Sequence, residues 1–219
     1  MTPYRVGIVG LSWITSDPAE PATHPVLGTA QPGTHLSGMA NLPNVHVVAG
    51  CDISGPARER FIERWDATWP GLVVYDDYEK MLTEVPLDVV AVATPDHLHG
   101  PVVKAAAKAG VKAIFCEKPV DLSVARVRAC LKTVEETGAR LMVGFNRRFD
   151  PNFLKVREMI AAGAVGEPHI VRITSRDPAP PPIEYVKVSG GMFFDMTIHD
   201  FDMARYLLDC DVEEIYVAG

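Results

Sequence analysis

Asp88-Val89-Val90-Ala91-Val92-Ala93-Thr94 is the stretch that decides the fold. Its apolar residues run without polar alternation, as expected of a strand buried on both faces in a parallel sheet. The run stops at Thr94-Pro95-Asp96-His97-Leu98-His99, where the proline and polar cluster break the strand, and a helix is expected over 101–109. Downstream the alternation continues: strand 112–116, helix 124–137 with Ser123 at its N-cap and Gly138 closing it, strand 140–144. In that helix Val127, Cys130, Leu131 and Val134 form a stripe that would cover a sheet. Upstream lie a strand over 45–52, a helix over 57–65, a strand over 72–75 and a helix over 78–84. The chain opens with the strand Arg5-Val6-Gly7-Ile8-Val9-Gly10. Six strands alternating with helices predict an α/β fold, a doubly wound parallel sheet of the Rossmann type, over 1–145.

Such sheets bind ligands beyond the C-terminal ends of their strands, where Gly10, Asp52, Thr94 and Glu117 all fall. In a dinucleotide fingerprint glycines let the backbone turn tightly against a pyrophosphate. Here Gly10 keeps the first glycine, Ser12 stands at the second and Thr15 at the third. Asp52 ends its strand where a carboxylate can accept from both ribose hydroxyls of NAD and would repel the 2′-phosphate of NADP. By itself it could equally be a turn aspartate. Residues 15–34 carry Pro18, Pro21, Pro25 and Pro32 and almost no apolar periodicity. They are expected to form an ordered insertion near the cofactor mouth, with the delayed helix starting near His35.

After Phe145 the pattern changes. A helix is expected over 152–162, a strand over 168–174, a Pro-rich segment over 177–182 and a last strand over 213–217. This makes 146–219 a small, incomplete α+β domain. Between those strands runs Ser189-Gly190-Gly191-Met192-Phe193-Phe194-Asp195-Met196-Thr197-Ile198-His199-Asp200-Phe201-Asp202. Read as one helix, it puts Asp195, His199 and Asp202 on one face. A histidine between carboxylates can serve as a general acid or base near neutral pH, although the same spacing also suits a solvated polar face.

The bulk numbers narrow the partners. With 219 residues, 47% of them hydrophobic and 22% charged, the chain can bury a sizeable core. A net charge of -7 with no basic block disfavours nucleic acid and anionic membranes. No run approaches a membrane span and no signal peptide opens the chain, so a cytoplasmic location is expected. Cys51, Cys116, Cys130 and Cys210 are far apart without metal-like spacing and read as buried free thiols, and no metal is expected.

Five stretches point to a family. Glu117-Lys118-Pro119 resembles the Glu-Lys-Pro motif of the Gfo/Idh/MocA oxidoreductases, and residues 94–99 are similar to that family's Thr-Pro-Asn-x-x-His segment. Residues 144–150, 173–182 and 189–205 resemble the inositol-oxidising branch of the family. The resemblance implies that Lys118 contacts the reacting hydroxyl, Asp195 binds substrate and His199 is the general base. It implies cofactor contacts at Gly10, Ser12, Trp13, Ile14, Asp52, Thr94, Pro95, Asp96, His99 and Glu117. Asp177 and one of Arg147 or Arg148 are implied as further substrate or nicotinamide contacts, Arg147 toward the cofactor and Arg148 toward the substrate.

The implied activity is NAD-dependent oxidation of a secondary hydroxyl of a cyclitol, myo-inositol to an inosose, in a homo-oligomer, a dimer or a tetramer. The rivals are another sugar or polyol as substrate, and a non-catalytic dinucleotide-binding sensor or subunit. Asp96 departs from the family pattern by adding a charge where asparagine is usual.

Overall fold

Continuous apolar strands do form the centre of the first of two units. The computed structural model describes residues 2–16, 22–23, 30–31, 33–176, 180–181, 183–187 and 189–218. In chain order the first unit contains β1 (Tyr4–Val9), α1 (Trp13–Ser16), β2 (Ala22–Thr23), β3 (Ala30–Gln31), α2 (His35–Met39), β4 (Val45–Cys51) and α3 (Gly55–Trp65). It continues with β5 (Val73–Tyr75), α4 (Tyr78–Glu84), β6 (Val89–Val92), α5 (Asp96–Lys108), β7 (Ala113–Cys116), α6 (Val124–Thr137) and β8 (Arg140–Val143). Six strands pair in the order β5-β4-β1-β6-β7-β8, all parallel. The expected doubly wound sheet is present, with the order reversing at β1.

Both faces of the sheet are covered. On one, Val9, Val90, Val92, Ile114 and Cys116 meet Met81 of α4, Val102 and Ala106 of α5 and Cys130 of α6. On the other, Val6, Ile8, Val47 and Ala91 meet Leu36 of α2 and Phe61 and Trp65 of α3. Alternate residues of one apolar run thus feed two cores, each fully buried side chain contributing about 1.5–3 kcal/mol. Cys51, Cys116 and Cys130 are buried as expected, but Cys210 is exposed. Burial, with Asp52 close by, pushes the Cys51 thiol up to about 12, so it is inert at neutral pH.

Helix boundaries show where local signals were overruled. α5 begins at Asp96 rather than at 101, with Pro95 as its N-cap and Pro101 inside it. Proline supplies a helical φ, and in the second turn it forfeits just one backbone hydrogen bond, so the polar cluster belongs to the helix. Ser123 occupies the N-cap of α6 without a side-chain cap bond, and Gly138 closes it at φ 70. Of the 15–34 insertion, the described residues form the single turn α1 and the antiparallel pair β2–β3.

The second compact unit spans Gly144–Gly219 and follows Met1–Val143. It holds a 3-10 turn (Asn146–Phe149), α7 (Pro151–Ala161), α8 (Ile183–Val186), α9 (Met192–Asp195) and α10 (Ile198–Leu208). The strands expected over 168–174 and 213–217 are not formed. A strand needs a neighbour's N–H and C=O groups, and no strand exists among the described residues of this unit to supply them. Ile170 and Tyr216 consequently stand 89% and 91% exposed. No helix among the described residues is long and apolar enough to cross a membrane.

Candidate active site

β1 delivers Gly10 to the edge of the sheet, where its N–H donates to Cys51 O at 2.8 Å and Ala93 N–H donates to Val9 O at 2.8 Å. Gly10 has φ 95, and a Cβ there would lie 2.4 Å from Ala93 O and 2.8 Å from Thr94 N. Only glycine therefore allows the chains leaving β1 and β6 to run so close together. Asp52 follows β4. Its Oδ2 accepts from Leu11 N–H at 2.8 Å and its Oδ1 from Ser54 N–H at 2.8 Å, which ties the exit of β1 to the start of α3.

Ser12 is exposed and its carbonyl accepts from Thr15 and Ser16 N–H. Trp13 is exposed and Ile14 half-buried in α1. Thr15 is fully buried, so the third glycine position has become part of the packing; Trp65 Nε1 donates to Ser16 O beside it at 2.8 Å. The edge suits a dinucleotide on three counts: a glycine turn that brings the exits of β1 and β6 close together, an acid at the end of β4, and a buried Thr94 Oγ1 with no hydrogen-bond partner among the described residues. Pro95 is exposed and Asp96 half-buried at the start of α5, on the same edge.

Glu117 continues β7 by donating its N–H to Val92 O at 2.9 Å. Its Oε1 lies 2.9 Å from His35 Nε2, too far off the N–H axis for an aligned hydrogen bond but close enough for an ion pair, and its Oε2 accepts from Lys118 N–H at 3.2 Å. Burial pushes this carboxyl up, yet His35 and Lys118 outweigh it and leave Glu117 below the usual carboxylate range. Lys118 is half-buried and joined to Pro119 by a cis peptide bond. His99, expected at the cofactor, is instead buried between two carbonyls, Pro119 O and Thr94 O, each 2.6 Å from a ring nitrogen.

In the second unit the helix expected through residues 192–208 is broken. α9 ends at Asp195, and α10 starts at Ile198 after a Met196-Thr197 corner. Asp195, His199 and Asp202 therefore do not share one continuous helical face, because the i−4 hydrogen-bond ladder is interrupted at the corner, where Thr197 N–H donates to Met192 O and His199 N–H to Met196 O. Asp195 accepts a 2.7 Å hydrogen bond at Oδ1 from Tyr185 OH, a partner with no sequence signal. His199 meets the Phe145 ring edge-on at 6.3 Å.

Asp202 is buried and bound in fork geometry by Arg148, whose Nε lies 2.8 Å from Oδ2 and whose second nitrogen lies 2.5 Å from Oδ1. The same guanidinium lies over Phe145 and Tyr206. Arg147 donates to Asp200 Oδ1 at 2.5 Å, and Ser175 OH donates to the same oxygen at 2.5 Å. Both arginines expected to reach ligands thus spend donors on α10. Asp177 lies outside the described residues. Among those described, no group of three or more His, Cys, Asp or Glu could hold a metal ion.

Comparison with known proteins bears on this arrangement directly. The model of an oxidoreductase family with an NAD-binding Rossmann fold, GFO_IDH_MocA, matches residues 4–145, and that of the GFO/IDH/MocA C-terminal domain matches residues 153–219. An inositol 2-dehydrogenase of Rhizobium meliloti is 61% identical over 122 residues, 56% of this chain and 37% of its own length. A scyllo-inositol 2-dehydrogenase (NAD(+)) of Bacillus subtilis is 41% identical over 159 residues, 73% of this chain and 44% of its own length. Among solved structures, a Sinorhizobium meliloti 1021 protein assigned as a myo-inositol dehydrogenase superposes with a TM-score of 0.79 at 41% identity, over 95% of this chain and 56% of that one. The chain thus spans about half the length of the relatives it matches.

Proposed function

The chain belongs to the Gfo/Idh/MocA oxidoreductase family, and on that premise we propose that it oxidises one secondary hydroxyl of a cyclitol, myo-inositol to an inosose, with NAD as cofactor. One observation carries the reading: Gly10, Asp52, Thr94 and the Glu117-Lys118 pair stand together at the C-terminal ends of parallel strands flanking the β1 switch point. Bound NAD would supply the hydride acceptor. Everything else falls to the protein. His199 takes the hydroxyl proton as the general base. Lys118 places a cation where alkoxide charge develops. Asp195, fixed by Tyr185, orients the substrate through its carboxylate. Asp52 favours NAD over NADP by repelling a 2′-phosphate. The names of the relatives at 61% and 41% identity support an inositol as substrate. The same reading places the protein in the cytoplasm as a dimer or tetramer, which sedimentation would check.

The test is NADH formation from a panel of inositol isomers and common sugars. An inositol should give the highest rate. Lys118→Ala should lower kcat by about a hundredfold or more, and full activity in that variant would remove the assignment. A second reading, a dinucleotide-binding sensor, is favoured by one feature, the buried Thr15 where a glycine is usual. A protein that NAD stabilises against melting but that oxidises no polyol would uphold it.

A further inference from the structure

The turn that carries Lys118 is pinned from several directions. Before it, Glu117 faces His35 and accepts from Lys118 N–H. After it, the buried Asp121 accepts at Oδ1 from Ser123 N–H at 3.0 Å and from Arg126 Nε at 2.7 Å. From the side comes α5. A Cβ on Gly100 would lie 3.2 Å from Asp121 Oδ2 and 3.5 Å from Val120 O, so the helix backbone rests directly on this turn. One residue earlier, His99 is 1% exposed, with Nδ1 2.6 Å from Pro119 O and Nε2 2.6 Å from Thr94 O. Carbonyl oxygens only accept, so either neutral tautomer gives its single N–H to one of them, and the ring bridges both only as the imidazolium, with an N–H on each nitrogen. An imidazole with so little surface has none to offer a ligand.

We propose that His99 is a positioning residue for Lys118: by bridging Thr94 O and Pro119 O it locks the turn after β7 to the turn after β6. The proposal rests on the reading that Lys118 steadies the reacting oxygen. Its logic is geometric. The ε-amine sits at the end of a long flexible stem, and the backbone at its base is the part that the fold can fix. A shift of about 1 Å at a reacting group can cost about a hundredfold in rate.

Two measurements test it. In the first, the lysine amines are converted to isotopically labelled dimethylamines, and the Lys118 resonance is assigned by its loss in Lys118→Arg. His99→Leu should move that resonance toward those of the exposed lysines, while His99→Gln, which keeps an N–H donor, should leave it near its original place. If His99→Leu does not fold, His99→Asn, too short to span both carbonyls, is read the same way. An unmoved Lys118 resonance in a folded variant overturns the proposal.

In the second, kcat should fall about a hundredfold in His99→Leu with the KM for NAD unchanged, and should fall no further when the change is made in Lys118→Ala. Additive losses, or a raised KM for NAD instead, overturn it. A wild-type protein that makes no NADH from any polyol would defeat the functional reading, while the resonance comparison would still decide whether His99 positions Lys118.

Discussion

At the scale of single residues, Gly10 and Glu117 are closely held at the C-terminal ends of the strands. Gly10→Ala would place a methyl group 2.4 Å from Ala93 O on a backbone at φ 95. The left-handed conformation alone costs about 1–2 kcal/mol for a residue with a Cβ, and the clash adds to it. Urea denaturation should show a loss of at least that size, and calorimetry should show loss of NAD binding. Glu117 gives a pH signature. Its carboxyl is depressed in the folded protein, so the unfolded chain binds a proton first as the pH falls. The stabilisation is therefore complete above the ordinary glutamate value of about 4.3 and is lost as pH falls through the lower folded value. The stability gap between wild type and Glu117→Gln, followed by urea denaturation against pH, should be constant near neutrality and close in acid. A gap that widened in acid would reverse the assignment.

At the scale of elements, α10 is held by ion pairs as well as by buried apolar residues. Phe201 on this helix is half exposed, while Met203 and Leu207 are buried. The two arginines of the 3-10 turn bind Asp200 and Asp202, two residues apart on the helix. Arg148→Ala would leave the buried Asp202 carboxylate without its cation. The expected loss is about 2 kcal/mol, below the ~3–5 kcal/mol of a fully buried pair because the arginine keeps some contact with water. Hydrogen exchange of amides 198–208 should accelerate accordingly, and adding Asp202→Asn should restore part of the protection. The arginines also explain why this region misled a reading by spacing. By spacing the pattern around His199 reads as one helix, whereas Asp195 belongs to the separate turn α9; Asp202 supports α10 through Arg148.

At the scale of the whole molecule, a ligand held at the strand ends should stabilise the sheet that holds it. NAD at a hundredfold excess over its Kd should add about 2.7 kcal/mol, visible as a raised Tm, and NADP should add less because of Asp52. The sheet itself was legible in the sequence. Residues 89–93 and their counterparts are apolar on both faces, and that pattern arises only where helices cover both sides, so strand number, order of elements and the ligand-bearing edge follow from it. The motifs at 94–99 and 117–119 were legible through their resemblance to those of the Gfo/Idh/MocA family. What the sequence could not carry were pairings made across long separations. Arg148 with Asp202, Tyr185 with Asp195, and His99 with Pro119 leave no local periodicity, because each depends on where two distant segments come to rest. The segments 168–174 and 213–217 show the opposite case, strand-like patterns that stay unpaired because a strand exists only with a neighbour to share its hydrogen bonds. Local pattern determined which residues turn inward and where the chain turns; only the tertiary structure decided which side chains hold one another, because those pairings depend on where distant segments come to rest.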